Sequence, residues 1–211
     1  MFQTKSIPKS YSAKNLGLFF LPFILEEWKN YDLRSYYGCL KNKRDLSSKS
    51  KYRVGLVWSA GKHSSPQPER NARIRDIPFK KLWSAAISWK EKYNLDLISL
   101  QLTGHDDQII KQKINSGLLE KGLNSNDWLA TSKVLESLDI VISVDTSIAH
   151  LAGAMGIPCI LMLSCPADWR WGQDNLRTFI YQSFYICRCN KPNNWDNAIE
   201  QANLSLKQII E

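Results

Sequence analysis

The segment Ser143-Val144-Asp145-Thr146-Ser147-Ile148-Ala149-His150 has the residue types and spacing of an anion site. An apolar strand pattern runs straight into a capped helix of small residues. The first amides of such a helix lack partners within it and carry the positive end of its dipole. That geometry suits a diphosphate. Thr146 and Ser147 would add hydroxyl donors, and His150, four residues beyond Thr146, falls on the same helix face. Asp145 is an anion itself, so it is expected to cap the helix or to bind a ribose or sugar hydroxyl rather than a phosphate. The bland alternative is a well-capped core helix whose histidine is satisfied internally.

A set of strands must hold this segment in place. Arg53–Trp58 reads as a buried strand entering a loop, followed by strands at Leu95–Gln101, Asp139–Val144, Pro158–Leu163 and Phe184–Arg188. Helices are expected over Phe79–Tyr93, about Asp106 to Ile114, and Trp128 to about Leu138 with Asp127 as cap. Two more are expected from Asp145 or Thr146 to near Met155, with Gly156 just past its end, and from about Trp195 to Ile210. Strand and helix alternate, and the apolar runs are continuous, as when both sheet faces are covered. The expected class is α/β, with a single Rossmann-like, doubly wound parallel sheet. Ligands of such sheets lie beyond the carboxyl ends of the strands. That directs attention to Ser59 to Arg75, Gln101 to His105, Asp145 to His150 and Ser164 to Trp171. Residues 1–15 read as a frayed start, 16–38 as an aromatic packing segment with a short helix around Glu26, and 41–51 as a flexible linker. The domain is expected over 53–211, after an extension and linker at 1–52.

Composition narrows the classes. No apolar run is long enough for a transmembrane helix, and Leu16 to Leu25 lacks a signal-peptide cleavage pattern. Five cysteines show neither a disulfide framework nor zinc-ligand spacing, so no metal and a cytoplasmic setting are expected. The net charge of +8 suits an anionic ligand, nucleic acid or an anionic membrane surface. Part of it lies in a polar stretch at 41–53 and part in 62–81, which holds Arg73 and Arg75. No nucleic-acid-binding motif accompanies the charge, so nucleic acid is not the expected partner.

An ordered set of motifs then points to a family. VGLVWSAG at 54–61, RIRDIP at 73–78, ISLQ at 98–101, DIVISVDTSIAHLAGAMGIP at 139–158 and DWRWG at 168–172 resemble the C-terminal lobe of heptosyltransferase-like glycosyltransferases. The likeness extends to the subgroup often fused to tetratricopeptide repeats. It implies one lobe of a GT-B fold, which binds a nucleotide-diphosphate sugar and contributes the donor half of a glycosyl transfer. No cofactor is implied beyond that donor substrate. Asp145, Thr146 and His150 match the family's donor-binding motif, with Ser147 inside it, and Arg73 and Arg75 match basic residues near the diphosphate. Ser59 matches the loop lining the cleft, Gln101 the polar end of the second strand, and Trp169 a loop close to the donor, in which Asp168, Arg170 and Trp171 also fall. A metal-free transferase must neutralise its leaving diphosphate with cations and amides, and the arginine fork matches phosphate oxygens in pairs. Exposed-loop arginines making incidental pairs are the alternative for Arg73 and Arg75. Trp169 and Trp171 would stack on a base or a sugar, or else plug the core.

The match departs from the family in the loop from Ser59 to Pro66, where Lys62 and His63 stand, and in Asp76, an acid beside Arg75 expected to weaken its phosphate role. Residues 1–52 are too few for an acceptor lobe. The chain is therefore expected to work with a separate acceptor-lobe or tetratricopeptide-repeat chain, and its own catalytic residues are unassigned. The alternative is a non-catalytic remnant or interaction module that keeps the fold.

Overall fold

The computed structural model describes residues 46, 49–60, 75–102, 108–124, 127–172, 176–178 and 180–211. The expectations for residues 1–45, for Lys62 and His63, and for Arg73 lie outside the described residues. Among the described residues the strands are β1 Tyr52–Val57, β2 Leu95–Ser99, β3 Glu120–Lys121, β4 Ile140–Val144, β5 Cys159–Leu163 and β6 Phe184–Arg188. The helices are α1 Phe79–Tyr93, α2 Gln108–Asn115, α3 Trp128–Glu136, α4 Ser147–Ala154 and α5 Asp196–Ile210, with one 3₁₀ turn at Trp169–Trp171.

All neighbouring strands pair in parallel, in the order β3-β2-β1-β4-β5-β6. The chain builds outward from β1 through β2 to β3, then crosses back to lay β4 on the other side of β1. The carboxyl ends of β1 and β4 thus form the topological switch point, where ligands of such sheets bind. Register brings those ends level, with Leu56 beside Ser99 and Val57 beside Ser143.

Alternation along each strand feeds two separate cores. Val54, Leu56, Leu97, Ile142 and Met162 face one side, against Leu82, Ala86 and Trp89 of α1 and Ala198, Ala202 and Leu206 of α5. Val57, Ile98, Val141 and Leu161 face the other, against Leu135 of α3 and Ala149 and Ala152 of α4. Both faces are covered, which is why the strands read as unbroken apolar runs and the sheet as doubly wound. Truncating a fully buried leucine such as Leu56 or Leu135 would cost about 2–5 kcal/mol.

The predicted caps hold. Asp127 accepts from the amides of Leu129 and Ala130 at 3.0 and 3.3 Å. Thr146, not Asp145, caps α4. Past the other end of α4, Gly156 takes φ of 68°, while its N–H reaches Gly153 O and that of Ile157 reaches Ala152 O. This double bond closes the last turn and aims the chain into β5.

Two expectations need amending. The two-residue strand β3 was not foreseen, because a pair of charged residues at a sheet edge carries no apolar pattern. The stretch ahead of β1, read as linker, is docked where it is described. Leu46 is buried in the core, Tyr52 Oη donates to its carbonyl at 3.2 Å, and Lys49 pairs with the buried Asp139.

Candidate functional site

The carboxyl edge of the sheet is built from the segments that follow β1, β2, β4 and β5. At β4, Thr146 is extended (φ −143°, ψ 164°) and its Oγ1 accepts from Ala149 N at 3.3 Å. Ser143 Oγ donates to Val144 O at 2.6 Å, so in its 3.0 Å contact with Thr146 Oγ1 the threonine must donate. The Thr146 proton is thus directed to Ser143, and the Thr146 hydroxyl shapes the helix start. Ser147 is exposed and keeps the option of donating to a ligand. The first i→i−4 bond of the turn runs from His150 N to Thr146 O, at 3.2 Å, so the amides of Ser147 and Ile148 precede it.

Asp145 is buried, and its carboxylate does not serve as cap. One nitrogen of Arg170, Nη2, sits astride both its oxygens at 2.7 and 2.6 Å. Arg75 Nη1 approaches the same group more loosely, 3.7 Å from Oδ2 and 3.5 Å from the Asp145 carbonyl. The other terminal nitrogen of Arg170 pairs with Asp168 Oδ2 at 3.0 Å. Asp168 also accepts from Arg170 N at 3.1 Å, which fixes the 3₁₀ turn. The carboxylate, expected to cap the helix or to bind a sugar or ribose hydroxyl, does not cap α4 and is paired with guanidinium groups from two separate segments.

The β1 exit is braced by two residues. Gln101 Oε1 accepts from the amides of Trp58 and Ser59 at 3.3 and 3.1 Å, and its Nε2 donates to Ser59 O at 3.0 Å. Asp76 accepts from Ser59 Oγ at 2.9 Å and from Ala60 N at 2.7 Å. The acid expected to compete for Arg75 thus clamps the loop. Ile77 N, bonded to Trp58 O at 2.9 Å, then ties the segment after Arg75 to the β1 exit, and Arg75 itself reaches Asp145. Ser59 and Gln101 spend these groups on the loop backbone and on Asp76, which gives both a bracing part.

An aromatic wall lies behind α4. A Cβ on Gly153 would stand 2.5 Å from the Tyr181 ring, so glycine is what lets the ring lie against the helix. Tyr181 Oη then meets His150 Nδ1 at 3.0 Å. The imidazole stacks on Trp171, with centroids 5.2 Å apart, and Trp171 stacks in turn on Phe184. The Arg170 guanidinium lies over the Trp171 ring at 5.4 Å. Burial, and secondarily the Arg170 charge, hold the His150 pKa below its ordinary value, so the imidazole is neutral at pH 7. Trp171 is fully buried and takes the plug role. The side chain of Trp169 lies outside the described part.

The sequence-predicted residues Ser59, Arg75, Gln101, Asp145, Thr146, Ser147 and His150 therefore gather at one edge. Arg170, which the resemblance places with DWRWG in a loop close to the donor, was given no role of its own from the sequence; its signal was an arginine two residues after an aspartate able to cap its turn. Among the described residues no group of three His, Cys, Asp or Glu side chains could hold a metal ion. The Cys187 and Cys189 thiols are both pushed up to about 12 by burial, which favours inert structural roles. No helix among the described residues is long and apolar enough to cross a membrane.

No protein-family model and no curated protein sequence matches this chain. Solved structures do. E. coli heptosyltransferase WaaC with ADP aligns at 16% identity over 76% of this chain and 46% of that one, with a TM-score of 0.49. The same enzyme with ADP-2-deoxy-2-fluoro heptose aligns at 14% identity over 78% and 45%, with a TM-score of 0.51. The second alignment and the strand order agree on the fold: a Rossmann-like α/β sheet matching one lobe of a GT-B heptosyltransferase. This chain spans less than half the length of either structure.

Proposed function

We propose that this chain binds a nucleotide-diphosphate sugar and supplies the donor lobe for glycosyl transfer to an acceptor held elsewhere. The observation that carries the reading is the meeting of a guanidinium, Arg75, with the N-terminus of α4 at the topological switch point. Phosphate oxygens would lie against the amides of Ser147 and Ile148 and the fork of Arg75, with Ser147 Oγ as a further donor. Those groups would neutralise the diphosphate as it leaves the sugar. Arg73, two residues from Arg75 in the sequence, and Trp169, beside Arg170, belong to the same proposal. The structures of similar fold hold ADP and an ADP-sugar analogue, which fits a donor of this class. A separate acceptor-lobe chain, or one carrying tetratricopeptide repeats, is the partner this reading calls for.

Titration calorimetry with ADP, UDP and GDP tests it. Binding of at least one, lost on substituting Arg75, is the expected result; no heat and no thermal shift with any of them would leave only the scaffold. The second reading is an interaction module that keeps the fold without donor binding. It draws on the formal neutrality of the described charge cluster, in which Arg75 and Arg170 face Asp145 and Asp168.

A further inference from the structure

We infer that Arg170 is a positioning residue: it holds the Asp145 carboxylate neutralised, so that an anion can sit at the start of α4 and Arg75 stays available to meet it. The inference rests on the diphosphate reading above and assigns a division of labour within that site.

Asp145 stands immediately before the helix cap, with only 5% of its side chain exposed. A buried, unpaired carboxylate there would repel a diphosphate across a short, poorly screened distance. Arg170 removes that opposition. Its Nη2 covers both oxygens, its Nη1 is fixed by Asp168, and its plane lies over Trp171. Held on two edges and one face, it is set to stay on Asp145 rather than swing to a ligand.

Arg75 differs on each count. Its contacts with Asp145 are 3.5 and 3.7 Å long, at or beyond the limit of a good hydrogen bond, and its side chain is 27% exposed. Were Arg170 gone, the bared carboxylate would draw Arg75 inward and take the cation that a phosphate needs. Arg170 thus acts through two other residues, and its effect on binding follows the ligand's charge.

The test measures affinity of the full chain for ADP, UDP and GDP and for the matching nucleosides, in wild type, R170Q, D145N and the D145N/R170Q pair. R170Q is expected to weaken the best-binding diphosphate about tenfold or more, with the nucleoside unchanged. The double variant, which removes both charges, is expected to return to within about threefold of wild type, as coupled neighbours do in such cycles. A double variant as weak as R170Q would mean that Arg170 touches the phosphate directly, and would overturn the inference while leaving the donor reading intact. The double variant decides the matter even where R170Q does not fold, because direct contact predicts about a tenfold loss in it. A wild-type chain that binds none of the diphosphates would overturn both.

Discussion

Strand β4 has an aspartate on each flank: Asp139 just before it and Asp145 just after. Both are buried at the sheet's edges and both are ion-paired. Their partners set them apart. Asp139 accepts the Arg53 backbone N–H at 2.9 Å and the Lys49 ammonium, so it knits together the chain entering β1 and the chain entering β4. Asp145 is met by guanidinium groups from two separate segments, and no backbone of a neighbouring strand depends on its carboxylate among the contacts described. One end of the strand closes a structure. The other gathers charge around a helix start, with Arg170 held in place and Arg75 only loosely engaged. Burial and ion pairing, then, do not mark a site; what marks it is a partner, here Arg75, left only loosely engaged.

The largest effect is expected at the closing end. Asp139→Ala should cost about 2–3 kcal/mol of stability in urea denaturation, mostly from the Arg53 N–H left unsatisfied, because Lys49 is nearly half exposed and adds little. Nucleoside-diphosphate affinity of the folded variant should stay within about twofold of wild type, since Asp139 lies at the far edge of the sheet. A folded Asp139→Ala protein that has lost binding would break the contrast. The converse holds for Arg75→Ala: a loss of about 2 kcal/mol in binding, or roughly thirtyfold in Kd by calorimetry, with little change in the thermal midpoint.

Much of this arrangement could be read before the structure was known, and the remainder could not, for definite reasons. Continuous runs such as IVISV and CILML and the caps Asp127, Thr146 and Gly156 reveal the elements, because burial on both sheet faces and helix-end chemistry leave local traces. Leu46 was lost in a polar stretch, since one apolar residue makes no period. The pairing of Arg170 with Asp145 spans 25 residues and depends on how the 3₁₀ turn folds back over α4, which no spacing encodes. The flanking acids of DIVISVD look alike as letters, and Asp145 was set apart by its place between a strand's carboxyl end and a helix start, and then by the family resemblance.

A smaller effect sharpens the distinction within the open end itself. Gln101→Ala removes three hydrogen bonds to the β1 exit without touching any charge. It should cost about 1–2 kcal/mol of stability and lower diphosphate affinity only a few fold, through loosening of the loop that carries Ser59. A loss as large as that from Arg75→Ala would place the Gln101 amide on the ligand.

The least of the expected effects is a pH dependence that only the open end should show. His150 reaches from α4 onto the aromatic wall of Trp171 and Tyr181, and burial depresses its pKa from the ordinary 6.5. The charge of Arg170 acts in the same direction, while Asp145 and Asp168 oppose it. Below about pH 6.5 the unfolded chain takes up a proton that the folded one refuses, so stability falls as pH drops through that value, toward the lower folded pKa. Above it the contribution is fully present. The slope from one such group is at most about 1.4 kcal/mol per pH unit. Denaturation at a series of pH values should show wild type and Asp139→Ala sharing this slope, with His150→Gln lacking it. Arg170→Gln should reduce the slope without abolishing it, because burial is the larger cause and survives the substitution. Equal slopes in wild type and His150→Gln would place the acid sensitivity elsewhere and remove the imidazole from the account of the wall.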